Sequence, residues 1–165
     1  MREGDRPGTR GNLKLLGFEG FLPMGAVATD DLPAAPGVYA VICNGFPVPV
    51  RRSVGGWFKG KDPTQDVGAL TRRLVPGADV LYFGRAEQNS PGRGLRKRVD
   101  ELLRFGRGQA VGHWGGRYLW QLSNPFANLI AWLPVEAADV KATELRLLEE
   151  FRDEHGVLPF ANLRL

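Results

Sequence analysis

Residues 32–44 read Leu32-Pro33-Ala34-Ala35-Pro36-Gly37-Val38-Tyr39-Ala40-Val41-Ile42-Cys43-Asn44. Each proline fixes its own φ and pushes its predecessor out of the helical region, so 32–36 is a stiff, extended lead-in. Val38, Tyr39, Val41 and Ile42 are β-branched or aromatic, and the run predicts a buried strand over 37–44. Val80 to Gly84 reads as a second apolar strand. Outward from these two, helices are predicted over 66–74, ended by Pro76-Gly77, and over 95–105, opened by Gly92 and Gly94 and ended by Gly106. Strands are predicted over 117–122 and 129–135, and a last helix over 138–154, stopped near Gly156. The order strand, strand, helix, strand, strand, helix predicts a small α+β domain over 32–165. An insertion at about 45–77 carries a short hairpin at 48–53, and residues 1–31 form an N-terminal arm and lead-in. Met1 to Gly11 is polar, charged and Gly-rich, and reads as a loose arm with no signal-peptide segment behind it.

A chain of 165 residues with 43% apolar residues can bury a core within one domain. The single cysteine, Cys43, excludes an internal disulfide and a cysteine-based zinc site, and it fits a reducing cytoplasm. No apolar run approaches the ~20 residues needed to cross a bilayer, so no membrane partner is expected. The net charge of +4 is unevenly spread. Residues 85–107 carry seven basic side chains against three acidic ones, and residues 136–154 carry the reverse. The basic segment can meet the acidic one within the fold, or it can meet a polyanion such as DNA.

Helical geometry singles out Glu144. At about 100° per residue, Val140, Leu147, Leu148 and Phe151 form one apolar stripe with Glu144 in its middle. A carboxylate there needs an arginine partner or a metal ion. It is the one carboxylate that the periodicity turns inward, which argues against a two-metal mechanism. Arg98 stands on the border of the stripe made by Leu95, Val99 and Leu102, where it can cover the core edge or face a ligand. Tyr39 and Tyr82 are strand aromatics, whose rings can simply fill the core while their hydroxyls seek polar partners. His113 lies in the Gly-rich connector 106–116 and reads as polar surface, or as an imidazole supplied to a site. Two histidines without ligand spacing argue against zinc.

Taken in order, Gly37-Val38-Tyr39, Tyr82-Phe83-Gly84, Arg98 on a basic helix, Glu144 on an acidic helix and Asn162 near the C-terminus resemble the GIY-YIG nuclease superfamily. The resemblance spans roughly residues 33–165. It implies a small central antiparallel sheet, three core strands with inserted strands added, flanked by helices. It also implies a divalent-metal-dependent DNA endonuclease that hydrolyses phosphodiesters. By resemblance Glu144 binds the cation, Mg²⁺ or Mn²⁺, and Arg98 steadies the charge growing on the scissile phosphate. Tyr39 contacts the attacking water, and Tyr82 positions water or phosphate. Arg85, Arg96, Lys97 and His113 are assigned to substrate, and Asn162 supports the site through hydrogen bonds.

This chain departs from the family pattern at Phe83, where an aliphatic is usual, and at Leu102, where many relatives place a histidine or tyrosine. It also has a longer stretch between Glu144 and Asn162, near 153–158. Arg51, Arg52, Trp57, Lys59 and Lys61 make the insertion an expected substrate-gripping element. Sequence specificity would have to come from a homodimer or a partner protein. Two other readings stay open. One is a catalytically inactive nucleic-acid-binding module. The other is a protein-interaction domain with an aromatic patch of Trp57, Trp114 and Trp120.

Overall fold

Gly37–Ile42 is a strand, β2, and all six of its residues are buried because it is central in the sheet and both of its faces are covered by core. A computed structural model describes residues 7–51, 59–89 and 92–165. Val80–Ala86 (β3) pairs antiparallel with one edge of β2, and Leu129–Pro134 (β4) with the other. Glu19–Pro23 (β1) pairs antiparallel with β4, which gives the order β1-β4-β2-β3. The fold is therefore α+β, with a four-stranded antiparallel sheet flanked by helices. None of the helices among the described residues is long and apolar enough to cross a membrane.

Alternation along β2 divides the core. Tyr39 and Val41 join Tyr82, Ile130 and Trp132 beneath the helix Leu95–Gly106 (α3). Val38, Ala40 and Ile42 join Phe83 and Ala131 beneath Val140–His155 (α4) and Leu13 of Arg10–Leu15 (α1). The proline-rich lead-in has a direct role here. The carbonyls of Ala35 and Pro33 accept from the Leu95 and Arg96 amides at 2.9 and 3.1 Å, satisfying two of the orphan donors of the α3 N-terminus. α4 ends at Gly156, whose φ of 76° lies in the left-handed region that favours glycine. The longer stretch near 153–158 thus begins with the last turn of α4 and includes its cap.

Three expectations are corrected. Residues 117–122 are not a strand; Trp114–Gln121 is a 3₁₀ helix with Leu119 and Trp120 buried in the core. The fourth strand comes instead from residues 19–23, within the segment read as arm and lead-in. Gly8 to Gly11 is not loose, because the Gly8 carbonyl accepts from the Asp79 and Val80 amides and Arg10 opens α1. Val48 and Val50 exchange backbone hydrogen bonds with Ser123 and Gln121, and the rest of the expected hairpin lies outside the described residues. The predicted helix over 66–74 is shorter, Val67–Thr71 (α2), N-capped by Asp66.

β3 is an edge strand, and the C-terminal segment closes its open side. The Asn162 side chain accepts from the Phe83 amide and donates to the Phe83 carbonyl, both at 2.9 Å. Ala161 donates its amide to the Leu81 carbonyl at 2.8 Å. Asn162 is itself buried, so truncating it orphans a donor and an acceptor together. Asn162→Ala is expected to cost about 2 kcal/mol in urea unfolding. A loss under about 0.5 kcal/mol would mean that this edge does not depend on the amide.

Candidate active site

β2 and β3 place Tyr39 opposite Gly84. A methyl group at Gly84 would collide with the Tyr39 ring and hydroxyl, so the glycine is what lets that ring lie across its strand. Tyr82 follows on the same face, with ring centroids 6.1 Å apart. The Tyr39 hydroxyl meets His113 Nε2 at 2.7 Å, and all three rings lie within 6.4 Å of one another. His113 is fully buried, not surface. Leu102 is also buried in the core, so the imidazole beside the tyrosines comes from the connector, eleven residues further along the chain.

His113 Nδ1 is buried without a hydrogen-bond partner. An orphaned lone pair costs less than an orphaned N–H, which favours the tautomer with its proton on Nε2. In that form the imidazole donates to the Tyr39 oxygen. Burial, aided by the nearby Arg98 charge, pushes the His113 pKa down to about 3, so the ring is neutral at physiological pH. Burial pushes the Tyr39 hydroxyl well above the ordinary tyrosine range, with Tyr82 and Glu144 adding to the rise and Arg98 opposing it. Burial likewise lifts Tyr82 to about 12. Both tyrosines are phenols at neutral pH.

A cleft of about 710 Å³ opens around the β3 edge, and Tyr39, Tyr82, Arg85, Lys97, Arg98, Glu144 and Asn162 all line it. Seven of the nine predicted site residues therefore share one hollow. His113 stands behind Tyr39 rather than on the lining. Arg96 is directed elsewhere: its Nε donates to the Leu32 carbonyl at 3.1 Å, so the substrate role assigned to it is not supported by its position. Arg98 Nη1 donates to Glu101 Oε2 at 2.9 Å and to the Gly112 carbonyl at 3.0 Å. No partner takes its Nε or Nη2 among the described residues.

Glu144 has one of the partners anticipated for it. Arg85 Nη1 reaches its Oε2 at 2.5 Å, while Arg85 Nε holds Glu87 at 2.9 Å. The Glu144 side chain is 14% exposed, as its place on the apolar stripe requires. Glu87 and Glu101 also line the cleft, so the expectation of a single inward carboxylate is corrected. Glu101 was legible as the i+3 neighbour of Arg98, on the same border of α3. No group of three histidine, cysteine, aspartate or glutamate side chains suited to a metal occurs among the described residues. Of the expected gripping element, Arg52 and Trp57 lie outside the described residues. Trp120 is a core residue packed against Phe126 with tilted rings, centroids 5.0 Å apart, which removes it from the expected aromatic patch.

Because the folded state resists protonating His113 until about pH 3 whereas an unfolded histidine titrates near 6.5, the unfolded state binds more protons between those values. Stability is therefore lost as pH falls below about 6.5. His113→Gln should flatten that part of the profile. In NMR the His113 ring should not titrate between pH 8 and 5, and a midpoint near the ordinary histidine value would contradict its burial.

No protein-family model, curated protein or solved structure matches this chain.

Proposed function

We propose that the protein is a divalent-metal-dependent DNA endonuclease of the GIY-YIG type. The observation that carries the proposal is the convergence of Tyr39, Tyr82, Arg98 and Glu144, from four separate elements, on one cleft. Convergence of polar groups that cost burial energy is what a catalytic site requires and a packing surface does not. It also weighs against the protein-interaction reading.

The donor set fits a lightly ligated hard cation. Glu144 would hold it, since Mg²⁺ accepts one carboxylate and fills its remaining positions with water and substrate phosphate. Such a cation supplies charge neutralisation at the phosphate and at the departing 3′ oxygen. The chain's own residues do the rest. Lys97, exposed on the cleft wall, and the free Nε and Nη2 of Arg98 bind phosphate oxygens. Tyr39 and Tyr82, held as phenols, orient the attacking water. Burial keeps Tyr39 a phenol, so it can only relay the water proton, passing its own on as it takes one, and the proton that the water loses is balanced by the one that the 3′ oxygen takes up. Water attacks phosphorus, the P–O3′ bond breaks, the 3′ oxygen takes a proton, and a 5′ phosphate remains. Arg85 is placed to leave Glu144 for the phosphate as substrate enters, with Glu87 retaining its other edge.

The Arg85–Glu144 ion pair is also what a binding module without turnover would keep, and this reading stands second. Supercoiled plasmid distinguishes the two. With Mg²⁺ or Mn²⁺ the protein should nick it, with EDTA it should not, and Glu144→Gln and Arg98→Ala should each slow nicking by about 100-fold or more. Plasmid that is bound but left intact with every ion would favour the binding module.

A further inference from the structure

The proposed chemistry leaves one wall of the cleft unused. Trp114 and Arg117 both line it, at the start of the 3₁₀ helix Trp114–Gln121. The Arg117 guanidinium carbon lies 4.4 Å from the Trp114 ring centroid, and Arg117 Nη1 donates to the Trp114 carbonyl at 3.0 Å. The cation is thus fixed over the indole at two points. Arg85, Arg93 and Arg98 each have a carboxylate partner; Arg117 has none among the described residues. The intervening Gly115 runs against the active tyrosine: a methyl there would sit 3.3 Å from the Tyr82 hydroxyl. The pair therefore adjoins Tyr82 along the same cleft.

We propose that Trp114 and Arg117 form a stacking platform for an unpaired nucleobase beside the bound phosphate, so that the substrate is DNA with single-stranded or branched character. The proposal rests on the nucleic-acid reading above. A planar cation layered on an aromatic ring accepts any base through its π face and supplies charge to the adjoining backbone. Within a duplex both faces of each base are covered, and exposing one costs a few kcal/mol. A base that is already unpaired avoids that cost. The platform therefore selects for strand structure and is indifferent to base identity.

Fluorescence anisotropy in EDTA, with a labelled short oligothymidine and a duplex of the same length, reads binding without cutting. The wild-type protein should bind the single strand about tenfold tighter than the duplex. Trp114→Ala should lower single-strand affinity by about 5- to 100-fold and duplex affinity by less than about twofold, while Trp114→Phe should recover most of the loss. Arg117→Lys, which keeps the charge and loses the plane, should also lose the single-strand preference, and it guards against a misfolded tryptophan variant. Equal losses on both ligands, no loss on either, no DNA binding at all, or an Arg117→Lys protein indistinguishable from wild type would overturn the platform. Trp114-dependent binding by a protein that cuts nothing would retain the platform and remove the nuclease. Plasmid nicking that ignores both substitutions, with no strand preference in binding, would do the reverse.

Discussion

Tyr39 is fully buried at the floor of the cleft, and its hydroxyl takes a partner from within the protein. It finds His113, 74 residues away in sequence, at 2.7 Å, and the rest of the cleft depends on that contact. Drawing His113 inward lays Gly115 beside Tyr82 and puts Trp114 and Arg117 on the cleft wall. It also presents the Gly112 carbonyl to Arg98. A loop that composition marks only as rich in glycine thereby becomes the third side of the site. The glycines matter because side chains at 115 and 116 would crowd Tyr82 and His113 themselves.

Much of the arrangement was legible in the sequence. β2 and β3 were marked by unbroken apolar runs, α3 and α4 by apolar stripes with glycine at their ends, and Glu144 by its place within such a stripe. β1 was not legible: it is short, Gly20 and Phe21 both have positive φ, and its pairing with β4 shifts register between Gly20 and Leu22, so no alternation survives to be read. Residues 117–122 misled for a different reason. Tyr118, Leu119, Trp120 and Leu122 have strand-like composition, but they meet the core from a 3₁₀ helix tied down by Gln121, whose side chain donates to the Pro63 carbonyl and accepts from the Gln65 amide. Periodicity also turned Glu144 inward without naming its partner, since an ion pair spanning 59 residues leaves no local trace.

The electrostatics of the cleft are more balanced than the basic segment suggested. Glu101 takes Arg98 and Arg93, and Glu87 and Glu144 share Arg85. Much of the local positive charge is thus compensated within the fold, and Lys97, Arg117 and Arg164 are the lining cations with no carboxylate partner among the described residues. Partly exposed ion pairs of this kind add little net stability. Their consequence here is for charge, because each pair leaves less free cation for a ligand than the sequence suggests.

Under the function proposed above, Glu144 is where a divalent ion would enter this cleft. Amide NMR spectra recorded during a Mn²⁺ titration test it without reference to any substrate. Paramagnetic broadening should centre on Glu144, Arg85 and Tyr82, leave α1 sharp, and disappear in Glu144→Gln. Broadening centred on the outer acids of α4, Glu149 and Glu150, or a pattern unchanged by Glu144→Gln, would contradict the account.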